Sequence, residues 1–84
     1  MYSLKRNSDG AGCIGNHSHS VKINQPESKN IIVSVRPIVG CSMIVLDSFY
    51  SWWQTTEIVE ILEDHSDLVR FKTLNSEYEW TIIE

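Results

Sequence analysis

Apolar and polar residues alternate near the C-terminus in a pattern that predicts a three-stranded antiparallel meander over residues 56–83. Through 68–73 and again through 77–82, every second side chain is apolar or threonine, which is the period of a strand that buries one face. The segment before them is rich in β-branched residues, which favour strands. The C-terminal third is therefore expected to be β-structure.

The cross-strand register of this meander follows from placing the apolar side chains of adjacent strands on one face. A two-residue turn at Asn75-Ser76 sets Phe71 opposite Trp80 on the inner face. A loop over 64–66 then sets Val59 opposite Phe71 from the other side. This register leaves four aliphatic side chains on the outer face, where they need cover from the N-terminal strands, a partner or a second copy of the chain: Ile58, Leu62, Leu68 and Ile83.

An alternative interpretation makes residues 54–64 an amphipathic helix packed on a hairpin, which would be an α+β fold. Ser51-Trp52-Trp53-Gln54 has the form of a capping box, and acidic residues follow on one side of the helix. The β-branched content and the matched register favour the strand.

The N-terminal half contains three further predicted strands. Alternating or β-branched runs place them near 17–23, 31–36 and 43–47. Residues 1–30 are otherwise rich in Ser, Asn and Gly, which predicts a loop-rich part before a β-rich body over 31–84. We therefore expect a single mainly β domain, a small antiparallel barrel or sandwich.

Length and hydropathy limit the classes of protein. A chain of 84 residues allows one small domain and excludes a doubly wound nucleotide fold or a multidomain enzyme. No apolar run approaches the roughly 20 residues of a membrane span, and the start has no apolar stretch of signal-peptide length. We therefore expect a cytoplasmic protein without a membrane partner.

The charge is unevenly distributed along the chain. Residues 1–30 carry four cationic and two anionic side chains, whereas residues 31–84 carry three and nine, for a net charge of −4. An acidic body repels phosphate, which disfavours nucleic acid as a ligand and favours a partner with a basic surface. An acidic mimic of nucleic acid that acts on a DNA-handling enzyme is an alternative, and so is a solubilising role for the carboxylates.

Gly10-Ala11-Gly12-Cys13-Ile14-Gly15 has the letters of the dinucleotide-binding fingerprint, GxGxxG. The chemistry of that motif requires a hydrophobic strand before it and a helix N-terminus after it, and polar residues stand in both places here. We interpret the segment as a flexible turn and expect no cofactor.

Four side chains of zinc-compatible type occur in the first half: Cys13, His17, His19 and Cys41. The predicted strand at 17–23 would place both histidines on one face with Val21 and Ile23. Their spacing is not that of a standard finger or ribbon, so a zinc-stabilised module is an alternative hypothesis. Two further hypotheses are a Cys13–Cys41 disulfide and a set of ordinary loop residues without a shared role.

The aromatic cluster Phe49-Tyr50-Ser51-Trp52-Trp53 is the strongest candidate for binding. Neighbouring side chains of an extended segment point to opposite faces, so part of the cluster must look outward. Such aromatic residues can close the ends of a small barrel, stack on nucleic-acid bases or bind a protein. The candidate partner-binding residues are three aromatic and three acidic ones: Tyr50, Trp52, Trp53, Glu57, Glu60 and Asp64.

Catalytic motifs are missing from the sequence, which has no nucleophile elbow, no Walker loop and no HExxH. We therefore expect a protein that is not an enzyme.

Thr55-Thr56-Glu57-Ile58, followed by Thr73-Leu74-Asn75-Ser76-Glu77-Tyr78, resembles the pattern T-[ST]-x-[IV] … T-x-N-S-x-Y of short phage and bacterial proteins. These proteins look like small SH3-like β-barrels. The ALYDY and PxNY stretches of true SH3 domains are absent here, so binding of proline-rich peptides is not carried over. The resemblance implies a phage-type accessory protein that docks on a host enzyme or defence factor and inhibits it in the host cytoplasm.

Overall fold

A computed structural model describes residues 1–24, 29–47 and 52–83, which form antiparallel β-structure. None of these residues is helical, and none belongs to a helix that could cross a bilayer. The strands in chain order are β1 (Tyr2–Arg6), β2 (Gly12–Gly15), β3 (His17–Asn24), β4 (Lys29–Ser34), β5 (Ser42–Leu46), β6 (Trp52–Asp64), β7 (Leu68–Thr73) and β8 (Glu77–Ile82).

The long strand β6 joins two sheets. The strand order is β2-β1-β8-β7-β6-β5-β3-β4. The first half of β6 pairs with β5 and the second half with β7, so the order divides into a first sheet (β2-β1-β8-β7-β6) and a second sheet (β6-β5-β3-β4). The prediction of a small, mainly β barrel or sandwich is confirmed. The alternative helix over 54–64 is wrong, because these residues are paired on both sides.

The core lies between the two sheets. Trp80 and Phe71 are its largest fully buried side chains, and Tyr2 stacks on Trp80 at 5.7 Å between ring centroids. Both sheets contribute apolar side chains to it: Leu4, Met43, Val45, Ile58, Val69, Phe71, Tyr78 and Trp80. Their burial is the main stabilising contribution to the fold.

The β7–β8 hairpin has the predicted faces but a different register. Phe71 lies opposite Tyr78 rather than Trp80, a shift of two residues that leaves every side chain on its expected face. The turn is Leu74-Asn75 instead of Asn75-Ser76, since the Thr73 amide bonds the Ser76 carbonyl at 2.9 Å. The Thr73 hydroxyl also accepts from the amides of the turn at 3.3–3.4 Å, which fixes this position.

Strand β6 differs from the prediction in which residues face inward. Ile58 is fully buried and Val59 is exposed, the reverse of the expected arrangement, and Phe71 lies opposite Ile61 rather than Val59. The register of β6 with β7 shifts between Ile58 and Glu60 and again between Ile61 and Glu63. Each bulge adds one residue and changes the face of those that follow.

The loop-rich interpretation of residues 1–30 is wrong for residues 2–15, which contain β1 and β2, whereas β3 (His17–Asn24) confirms the strand predicted near 17–23. Strand β1 lies beside β8, and its Leu4 belongs to the core. The β1–β2 turn is tightly held rather than flexible: the Arg6 guanidinium donates to both Asp9 carboxylate oxygens, at 3.0 and 2.6 Å, and Asp9 accepts from the Ala11 amide at 3.0 Å. Polar turn residues dominate the composition around β1 and β2, so these two strands were not evident from the sequence.

Two glycines of the GxGxxG segment, Gly12 and Gly15, allow close contact with a neighbouring backbone. A Cβ on Gly12 would collide with the Leu4 carbonyl, and one on Gly15 with the Leu46 carbonyl of β5. The segment leads through β2 into β3 instead of a helix, so it lacks the setting of a dinucleotide site. These glycines serve to bring β2 against β1 and β5.

Candidate binding surface

The outer side of the second sheet presents an exposed tryptophan beside apolar and imidazole side chains. Trp52 of β6 pairs with Leu46 of β5, which pairs with His17 of β3. The next outward row runs through Gln54, Ile44 and His19. We call this surface the Trp52 face; it consists of His17, His19, Ile44, Leu46, Trp52 and Gln54.

The two adjacent tryptophans point in opposite directions, as predicted for an extended segment. Trp52 is 61% exposed. Trp53 packs on the core opposite Val45, with the Arg6 guanidinium 5.3 Å from its ring centroid. Trp52 is thus available to a partner and Trp53 is largely used within the fold. Tyr50, the third predicted aromatic, lies outside the described residues.

The histidines belong to this face, which the sequence alone did not indicate. His17 and His19 stack with ring centroids 6.4 Å apart and planes inclined by 16°, while Ser18 between them and Ser20 after them are buried. Val21 does not share their face, because the register with β4 shifts between Ser20 and Val21 and leaves Val21 buried. The imidazoles reach this face because β3 pairs with β5 and β5 pairs with β6, so that Leu46 lies between His17 and Trp52.

The three predicted acidic residues do not form one surface with Trp52. Glu57 lies opposite Ser42 of the second sheet, whereas Glu60 lies opposite Lys72 of the first. Asp64 stands twelve residues beyond Trp52, past both bulges with β7 and in the half of β6 that belongs to the first sheet. The exposed Glu57 remains closest to the Trp52 face, and with Lys22 it lines an open groove of about 390 Å³.

Asp64 is instead part of a structural cluster built on Arg36. The Arg36 guanidinium donates to Asp64 Oδ1 at 2.8 Å and to the carbonyls of Ser66 and His65 at 3.0 and 2.6 Å. Its Cζ lies 5.2 Å from the centroid of the Trp80 ring. Arg36 therefore ties the β4–β5 connection to the β6–β7 loop beside the core. No local sequence pattern signals contacts between residues so far apart.

The four zinc-compatible side chains are not brought together. The Cys13 thiol donates to the Val45 carbonyl at 3.2 Å and packs toward the core, while His17 and His19 lie on the outer face. Both cysteines are free thiols, so the disulfide alternative is wrong. Within residues 1–24, 29–47 and 52–83, no three His, Cys, Asp or Glu side chains are grouped to hold a metal. Burial also raises the pKa of the Cys13 thiol, which disfavours the metal-binding thiolate.

Comparison with known proteins adds no relative. No protein-family model, no curated protein and no solved structure matches this chain.

Proposed function

We propose that this protein is a non-catalytic protein-binding module that docks through the Trp52 face. The observation that carries the proposal is the exposed Trp52 ring, which stands in one cross-strand row with Leu46 and His17. Tryptophan is enriched among the residues that dominate the energy of protein interfaces, because it buries a large rigid surface at small entropic cost. Apolar neighbours of intermediate exposure would exclude water around it.

The charge of the chain supports a partner with a basic surface. The net charge is −4, and the body over residues 31–84 carries most of the carboxylates. Glu57, exposed on the same strand as Trp52, would lie at the edge of such an interface. Complementary charge would accelerate association and orient the partner, while Trp52 would supply most of the affinity.

Inhibition of a host enzyme or defence factor is the finer proposal. It rests on the resemblance of the Thr55–Ile58 and Thr73–Tyr78 segments to short phage and bacterial SH3-like proteins. A small domain without a cofactor would act by occupying a surface that the partner needs. The partner's activity in the presence of the purified protein is the corresponding measurement.

The decisive comparison uses wild type, Trp52→Ala and Leu74→Ala as bait in extracts of the native host, with quantitative mass spectrometry of the captured proteins. Leu74 is 84% exposed on the β7–β8 turn and provides a matched apolar control outside the Trp52 face. We expect Trp52→Ala to weaken capture of the same partner by about 30-fold, as for a hot spot of about 2 kcal/mol, and Leu74→Ala to leave it intact. Equal capture by Trp52→Ala with a native circular dichroism spectrum would refute the proposal.

A further inference from the structure

Strand β4 is an open edge of the second sheet. It stands at the end of the strand order and, among the described strands, it pairs with β3 alone. The opposite edge, β2, is covered: Gly15 lies against the Leu46 carbonyl and Cys13 bonds the Val45 carbonyl. The backbone groups of β4 that face away from β3 are therefore a template for another strand.

Both faces of β4 are about half exposed in the part of the chain that the structure describes. Ile31, Ile32 and Val33 are consecutive, so they point to alternate faces, yet they are 47%, 61% and 50% exposed. Within β4, residues 30–34 contain no charged residue and no proline, which are the features that usually prevent edge strands from pairing; Lys29 stands at the start of the strand and Arg36-Pro37 follow it. An apolar strand of this kind indicates an edge that becomes paired.

The residue order of β4 is complementary to itself. When two copies run antiparallel about Ile32, Ile32 meets its own copy, Ile31 meets Val33, and Asn30 meets Ser34. Over residues 30–34 like residues then meet like, and none of these residues is charged. Lys22 of β3 and its copy would be three strand spacings apart, about 14 Å, beyond the screening length at physiological salt.

We propose that the protein forms a homodimer in which the β4 strands of two copies pair antiparallel about a two-fold axis at Ile32. The second sheets of both copies then form one continuous sheet. An axis of this kind is perpendicular to the sheet, so both Trp52 faces lie on the same side. The dimer depends only on the β4 edge, so it can be tested independently of binding through Trp52.

Sedimentation equilibrium or light scattering of the full chain from micromolar to millimolar concentration tests the dimer. We expect the wild-type mass to rise with concentration from 9.7 kDa to twice that value. Ile32→Lys places two like charges directly opposite each other and should raise the dimer dissociation constant by at least about tenfold. Val39→Lys is the matched control, because Val39 is equally β-branched and 53% exposed but lies outside β4.

Charge pairing across the axis supplies the sharper test. Ile32→Lys and Ile32→Glu should each be monomeric, and an equimolar mixture should regain the dimer mass because the opposed charges then attract. Ile32 is a surface residue, so both variants should retain the wild-type circular dichroism spectrum. A wild type that stays monomeric at millimolar concentration, a dimer that Ile32→Lys leaves intact, or a mixture that stays monomeric would each overturn the proposal.

Discussion

Trp80 Nε1 donates a hydrogen bond to Ser18 Oγ at 2.9 Å, across the interior between β8 and β3. Ser18 Oγ in turn donates to the Val35 carbonyl at 2.8 Å. Both Trp80 and Ser18 are buried, so this hydroxyl is a buried polar link between the first sheet, the second sheet and the segment after β4.

Ser18→Ala should therefore lower the free energy of unfolding by about 1–3 kcal/mol. The substitution leaves the buried Trp80 N–H without its acceptor and removes the donor to the Val35 carbonyl, and an unsatisfied buried group costs more than the bond itself contributes. Urea unfolding followed by Trp fluorescence measures the change.

Ser20→Ala is the matched control on the same strand. Ser20 is fully buried, but its hydroxyl has no hydrogen-bond partner among the described residues. Removing an unpaired buried hydroxyl should leave stability unchanged or raise it. A loss for Ser20→Ala as large as that for Ser18→Ala would contradict the proposed role of the Ser18 hydrogen bonds.

Arg36→Lys should destabilise the protein nearly as much as Arg36→Ala, by about 1–3 kcal/mol. Lysine cannot reproduce the planar fork that reaches Asp64 and two carbonyls while it lies over the Trp80 ring. Thermal unfolding of both variants provides the measurement. Arg70→Ala is the control, because its contacts with Glu63 and Glu79 are exposed and longer, 3.8 and 3.4 Å, and should contribute less than about 1 kcal/mol.

Acidification should weaken the β1–β2 turn in a defined pH window. The side-chain hydrogen bonds from Arg6, followed by that from the Ala11 amide, lower the pKa of Asp9 to about 2, below its ordinary value of 3.8. Since the folded-state pKa is the lower one, the ionised Asp9 stabilises the fold above pH 3.8 and this contribution is lost as the pH falls toward 2.

The stability difference between wild type and Asp9→Asn should accordingly be constant near neutrality and decrease between pH 4 and pH 2. Denaturant unfolding at several pH values measures it, and a carboxyl NMR titration gives the Asp9 midpoint directly. An Asp9 midpoint near 4 would contradict the role assigned to Arg6.

Gly15→Ala should destabilise the fold by about 3 kcal/mol, because its Cβ would enter the backbone of β5 at Leu46. Gly10→Ala is the control at the same motif: its φ of +73° adds strain, but the nearest atom to a Cβ is in the flexible Lys5 side chain. Thermal melts of both variants, with and without NAD, test the assignment. Stabilisation of the wild type by NAD would contradict a purely structural role of the glycines.

Local alternation was sufficient to predict the faces of the C-terminal strands. Val69, Phe71 and Trp80 are buried as expected, because a register shift of two residues leaves every side chain on the same face of its strand. The exact register was not predictable in this way, since it depends on the Thr73 hydroxyl in the turn. In β6 the bulges bury Ile58 and expose Val59, the reverse of the prediction. No residue pattern predicts a bulge between two such similar β-branched side chains.

The candidate site was predictable only in part. Neighbouring residues of a strand point in opposite directions, which is why one of Trp52 and Trp53 had to face outward. The histidines reach the same surface through pairing between β3 and β5, whereas Asp64 lies away from it in the half of β6 that pairs with β7, where it accepts a hydrogen bond from Arg36. Both relationships join residues distant in sequence, and they depend on the closed fold rather than on local propensity.

The most direct test of binding through the Trp52 face is a ¹⁵N NMR titration with the captured partner, read at the indole N–H signals of Trp52, Trp53 and Trp80. We expect the Trp52 signal to shift or broaden and to exchange more slowly with solvent in the complex. The Trp80 signal, whose N–H is already bonded to Ser18, should stay in place. A complex that forms while the Trp52 signal remains unchanged would contradict the account.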